Sequence, residues 1–148
     1  MIKKRSVVHW LPAVLWMGLI FFLSSQPAVS SNSLSKGLTK LIIEILGRIL
    51  PVDIEISTVD VYVSRMNHFV RKFAHFFAYM ILGIFVSNGF KKSGSKKVFL
   101  LSFAICAIYA VSDELHQLYV PGRGCRLKDV IIDSAGSLTG IFLAKEYF

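Results

Sequence analysis

The sequence predicts an all-α integral membrane bundle of about four transmembrane helices plus an extracytoplasmic amphipathic interfacial helix. Of its 148 residues, 54% are hydrophobic and 18% charged, with a mean hydropathy of +0.59, whereas soluble domains carry roughly a quarter charged residues. The apolar residues gather in long runs on the scale needed to cross a hydrocarbon core about 30 Å thick as helices. The Lys and Arg residues behind the net charge of +8 stand in short clusters between those runs. Such clusters orient membrane helices, so nucleic acid is not an expected partner. The whole chain, 1–148, reads as one domain, with no room beside the spans for a soluble catalytic domain.

The first span, 7–23, follows Lys3-Lys4-Arg5 and contains no charged residue. Ala28-Val29-Ser30 loosely fits a signal-peptide cleavage site, but the apolar stretch exceeds the roughly 7 to 15 residues of a signal core, so the segment is expected to remain as a span. Over 34–50 the residues Leu34, Leu38, Leu41, Ile42, Ile45, Leu46 and Ile49 recur at three- and four-residue steps, with Lys36, Lys40, Glu44 and Arg48 between them. This pattern predicts an amphipathic helix lying on the membrane surface, ended by Pro51. Ser57 or Thr58 is placed to cap a helix that runs through Arg71 and Lys72 into the second span, 73–90. A lysine-rich hairpin, Lys91-Lys92-Ser93-Gly94-Ser95-Lys96-Lys97, leads to the third span, 98–119, whose far end is strongly polar. The fourth, 127–144, carries Asp129 and Asp133 near its beginning. With the N-terminal cluster and the lysine hairpin both cytoplasmic, the two termini lie inside.

That topology brings polar residues from several regions to one extracytoplasmic level. Ser24-Ser25-Gln26 ends span one, and Arg71, Lys72 and His75 open span two. Asp113, Glu114, His116 and Gln117 end span three, while Asp129 and Asp133 open span four. Ionisable groups within membrane helices cost roughly 2.5 to 3.5 kcal/mol each or more, so they turn inward, pair, or line a wet cavity. At about 100° per residue, Asp129, Asp133, Gly136 and Gly140 share one face of span four, and Gly136 and Gly140 form a small-xxx-small contact motif. That face is expected to meet another helix. Asp113, His116 and Gln117 share a face of span three, and His68, Arg71 and His75 one of span two, so the faces predict a common polar pocket.

Within it, His75, Asp113, Glu114, His116, Asp129 and Asp133 are the candidates for acid/base work, and Arg71, Lys72, Gln117 and Arg123 those for holding a ligand. His75, Glu114, His116, Asp129 and Asp133 are all metal-ligand types, but no spacing such as His-Glu-x-x-His accompanies them and no metal is assigned. Of the two cysteines, Cys106 sits in an apolar run and Cys125 in a Gly/Arg loop, which argues against a disulfide between them. Cys125 reads as an incidental thiol, Ser24-Ser25 as a helix end, and Trp10 and Trp16 as interfacial anchors. The plainer alternative is that Arg71 or Lys72 neutralises Asp129 or Asp133 and the whole cluster is interhelical glue.

Phe22-Leu23-Ser24-Ser25-Gln26, Arg71-Lys72-Phe73-Ala74-His75-Phe76 with Tyr79, Ser112-Asp113-Glu114-Leu115-His116-Gln117, and Pro121-Gly122-Arg123 followed by Asp129-Val130-Ile131-Ile132-Asp133 together resemble the VanZ-like family. Their order and distances cover nearly the whole chain. Tyr119 ahead of Val120-Pro121-Gly122-Arg123 is a mild departure. The resemblance implies a small multi-span envelope protein, and the family's namesake is associated with low-level resistance to teicoplanin, a lipoglycopeptide that binds cell-wall precursors. It carries no biochemical activity with it, so mechanism rests on the site.

Two classes of function follow. One is a module that binds membrane lipid, a cell-wall precursor or a lipoglycopeptide; the other is a membrane-embedded enzyme acting on a lipid-linked or phosphate-containing envelope substrate. A purely structural polar network is third, and a transporter last, because four short spans leave little room for alternating access. Neither a cofactor nor an oligomeric state follows from the pattern.

Overall fold

The protein is described by a computed structural model over residues 8–49 and 56–147, and the described residues form helices and connecting turns. In chain order the helices are α1 (Leu11–Ser24), α2 (Ala28–Ile49), α3 (Ile56–Lys92), α4 (Val98–Gln117) and α5 (Leu127–Tyr147). The basic cluster Lys3-Lys4-Arg5 and the helix stop at Pro51 lie outside the described residues, as does the side chain of His68.

Among the described residues, two helices are long and apolar enough to cross a membrane: the Phe69–Lys92 part of α3 and the whole of α4. They correspond to the second and third spans. The first apolar run is shorter as a helix than as a hydropathy pattern. It begins at Leu11, with Pro12 in the first turn, and its 14 residues rise only about 21 Å, less than the roughly 30 Å of a hydrocarbon core. The fourth run forms one continuous helix, but Lys128, Asp129, Asp133, Lys145 and Glu146 break up its apolar character, and it does not pass the same test.

One boundary differs from the periodicity. α2 starts at Ala28 rather than at Leu34, because Pro27 suits a helix start and the Ala28 amide finds a tertiary acceptor, the Pro121 carbonyl at 3.1 Å. Its apolar residues Leu38, Leu41, Ile42 and Ile45 are exposed and uncovered by protein. α3 runs for 37 residues, roughly 55 Å, so it extends well beyond its apolar portion.

The bundle is centred on α3 and α5. A Cβ added to Gly136 would stand 2.2 Å from the Phe76 carbonyl oxygen, one on Gly140 would stand 1.9 Å from that of Met80, and one on Gly83 would stand 2.4 Å from that of Ser137. The two backbones therefore touch. No other residue fits at these three positions, and the small-xxx-small face of α5 meets α3 as its spacing implies. Tyr79, Leu82 and Val86 of α3, Cys106 and Ala110 of α4, and Ala13 and Ile20 of α1 pack into a buried core beside this seam.

Polar bonds tie α1 into the same core. The Trp16 indole donates to the Ala78 carbonyl at 2.8 Å, the Tyr109 hydroxyl donates to the Met17 carbonyl at 2.6 Å, and the Trp10 ring meets Phe90 edge-on at 4.7 Å. Lys91 reaches the Ala144 carbonyl and caps the last turn of α5, where a cation also suits the helix dipole. Cys106 is buried and Cys125 exposed, and both are free thiols.

Candidate polar pocket

The site begins with a turn. Pro121 and Gly122 follow α4, the Arg123 amide donates to the Val120 carbonyl at 3.1 Å, and Gly122 adopts a φ of +75°. Proline first and a left-handed glycine second is the signature of a type II turn, and only glycine takes that second place without strain. This turn points Arg123 back into the bundle, where its Nη2 donates to the Leu23 carbonyl at 3.3 Å.

The next step is the start of α5. The Asp129 amide donates to the Arg126 carbonyl at 2.9 Å, making Arg126 the residue that opens the helix. Its own amide donates to Glu114 Oε2 at 2.8 Å. Glu114, only 1% exposed, thus places a carboxylate at a helix N-terminus, where the dipole favours it. That role was not legible in the sequence, because it joins residues from two helices across the loop.

Between these elements lies a cavity of about 270 Å³. α3 lines it with Arg71, Lys72 and His75, α4 with Glu114 and Gln117, and α5 with Asp129, Ile132 and Asp133. The loop adds Gly122, Arg123, Gly124 and Arg126, and the first residue of α2, Ala28, closes one side. The convergence expected from four regions of sequence is therefore present, with α2 contributing instead of the tip of α1.

Eight of the ten residues singled out by sequence line the cavity, and two do not. Asp113 is 2% exposed and turned toward α1, where its Oδ2 accepts from the Ser24 hydroxyl at 2.8 Å and the Gln117 amide at 3.3 Å. His116 sits against the Phe21 ring, 4.4 Å between centroids, with its Nε2 3.2 Å from the Ser25 hydroxyl. Both belong to the α1–α4 contact. The helical face shared by Asp113, His116 and Gln117 is wide enough to straddle two neighbours, so spacing alone did not separate them from Glu114. Arg126, Gly122, Gly124 and Ala28 are lining residues that sequence reasoning passed over; the loop's density of Gly and Arg was the available signal.

Charge inside the cavity is mixed and unevenly matched. Lys72 and Asp129 form an ion pair, about a quarter exposed on each side. His75 Nδ1 lies 3.6 Å from Asp133 Oδ1, close enough for attraction but too long for a hydrogen bond. Asp133 is fully buried and neither carboxylate oxygen has a hydrogen-bond donor. Arg123 Nε and Nη1 are likewise buried without an acceptor. Burial, and then the nearby Arg71, push the Arg123 guanidinium below its ordinary value, while Asp113 and Glu114 act the other way. Among the described residues, no three His, Cys, Asp or Glu side chains form a group able to hold a metal ion.

Among the described residues no Ser, Thr, Cys or Tyr lines the cavity; the nucleophile types it does present are Lys72, His75, Glu114, Asp129 and Asp133. What the walls offer are charged hydrogen-bonding groups of both signs at the end of an apolar bundle.

No curated protein and no solved structure matches the chain. The sequence does match the VanZ/LLP1 family over residues 9–148, a range that contains α1 to α5 and the residues that line the cavity, and the chain belongs to that family.

Proposed function

We propose that this protein is a multi-pass envelope protein whose pocket, on the extracytoplasmic side, binds the anionic group of a lipid-linked envelope component. One observation carries the reading: Arg123 holds two buried guanidinium nitrogens without an acceptor, beside Arg71, in the wall of a cavity. A buried charged donor left unpaired costs several kcal/mol, and an incoming phosphate or carboxylate removes that cost. Guanidinium groups match both anions in geometry.

Cavity size narrows the ligand. At about 270 Å³ the space falls just below the roughly 300 to 1,000 Å³ of drug-sized sites, which suits a headgroup and not a whole lipoglycopeptide. An effect on teicoplanin-type antibiotics therefore follows indirectly, through the headgroups or precursors the antibiotic meets at the outer leaflet. In this reading α1, α3, α4 and α5 cross the bilayer with both termini inside, and α2 lies at the surface with Leu38, Leu41, Ile42 and Ile45 toward lipid.

A second reading, hydrolysis of a phosphate-containing substrate, draws on His75 and Asp133 at 3.6 Å, a pair able to activate water. Turnover of a phosphodiester lipid that vanishes in His75→Gln would favour it.

Binding is tested on the full-length protein in detergent with short-chain phosphatidic acid and phosphatidylglycerol. Arg123→Ala is expected to weaken both by about tenfold or more, with Arg123→Lys intermediate. Equal affinity in all three proteins would overturn the reading. Orientation is tested by impermeant thiol labelling of intact cells. In a version without the native cysteines, a single cysteine at the exposed Ser93 is expected to stay unlabelled and one kept at exposed position 125 to react; the reverse pattern would invert the topology.

A further inference from the structure

An anion accounts for only half of the unmatched polar atoms in the cavity. Asp133 is fully buried, faces the cavity, and has no hydrogen-bond donor for either oxygen. The His75 ring nitrogen Nδ1 stands 3.6 Å from its Oδ1, too far for a hydrogen bond. Lys72 is engaged with Asp129, and the Glu114 carboxylate with the Arg126 amide. The pocket thus has a cationic wall at Arg71 and Arg123 and, separately, a carboxylate wall at Asp133 that lacks donors.

Resting on the headgroup reading above, we propose that the ligand is zwitterionic: a phosphodiester held at Arg71 and Arg123, carrying a primary ammonium group that donates to Asp133. Two features select a primary amine over a quaternary one. A quaternary ammonium has no N–H to give the two Asp133 oxygens, and it is usually held by the faces of Trp, Tyr or Phe, none of which lines this cavity among the described residues. A primary ammonium has three donors and matches a buried carboxylate closely. An ethanolamine phosphodiester headgroup meets these requirements and fits the space.

The test titrates the purified full-length protein with dihexanoyl phosphatidylethanolamine, phosphatidylcholine and phosphatidylglycerol below their micellar concentrations. The ethanolamine lipid is expected to bind about tenfold or more tightly than either of the others, since only it satisfies both walls. Asp133→Asn is expected to erase that preference, bringing the ethanolamine and choline lipids within about twofold of each other. A second arm needs no substitution: on the parent protein, free O-phosphoethanolamine is expected to displace the bound lipid at lower concentration than inorganic phosphate or phosphocholine. Equal binding of ethanolamine and choline lipids, or equal displacement by the free compounds, overturns the ammonium assignment and leaves the anion pocket standing. If none of the three lipids binds and Arg123→Ala behaves as the parent does, the pocket reading itself fails.

Discussion

Along α5, Asp129, Asp133, Gly136 and Gly140 share the face turned toward α3, yet the two halves of that face meet it in opposite ways. At Gly136 and Gly140 the backbones are in contact, and even a methyl group would overlap a carbonyl oxygen. One turn earlier, the carboxylates of Asp133 and Asp129 stand opposite His75 and Lys72 and the space opens into the cavity. Small residues let dispersion and close packing hold the helices in a medium where apolar burial gives little advantage over lipid. Charged residues cannot be packed that way and require partners, water or a ligand. The glycine half fixes where the helices are, and the carboxylate half uses that fixed position.

The contrast breaks most sharply at the seam. Gly140→Val places a β-branched side chain where a single Cβ already lies 1.9 Å from the Met80 oxygen, so the helices must separate. Overpacking of this kind costs about 1 to 3 kcal/mol or more, and folded protein in the membrane is expected to fall severely. Yield and size-exclusion profile measure it. Near-normal yield would show that the seam is not what sets the helix positions.

A smaller effect separates the two buried aspartates. Asp113→Ala removes the acceptor for Ser24 and Gln117, leaving two donors unmatched at about 1 to 3 kcal/mol, so stability is expected to drop while lipid binding holds. Asp133→Asn removes a charge that no donor satisfies, so stability is expected to hold or rise while ligand selectivity changes. Thermal denaturation beside lipid titration distinguishes the two; parallel behaviour would mean that both belong to one network.

Trp16→Phe keeps the aromatic packing against Phe85 and removes the bond to the Ala78 carbonyl, an expected loss of about 1 kcal/mol, or roughly 2 to 4 °C in thermal midpoint. Smallest of all is Lys72→Ala, because its ion pair with Asp129 is partly exposed and such pairs contribute about 0 to 1 kcal/mol. Gly18→Ala supplies the control for the seam: nothing lies within 4 Å of the added methyl, and a change near zero or slightly stabilising is expected in the same thermal assay.

Some of this was readable from the chain. Helical class, the apolar runs, the face of α5 that meets another helix and most of the cavity lining follow from composition and from a 100° step per residue, because both act over short stretches of sequence. Arg71, Lys72, His75, Glu114, Gln117, Arg123, Asp129 and Asp133 line one cavity. Periodicity says which residues share a face and not which neighbour that face meets. Asp113 and His116 therefore went to α1, and Glu114 to the start of α5, only once three-dimensional packing was set. The early start of α2 rests on a carbonyl supplied by Pro121, a partner far along the chain. The unmatched nitrogens of Arg123 and oxygens of Asp133 were likewise beyond local reading, since a missing partner is a property of everything around an atom. What local sequence determined was helix content and the angular position of each side chain; which charges found partners, and which were left facing an open space, was decided by the contact of α3 with α5, because backbone approach and turn geometry set distances that no spacing along one helix contains.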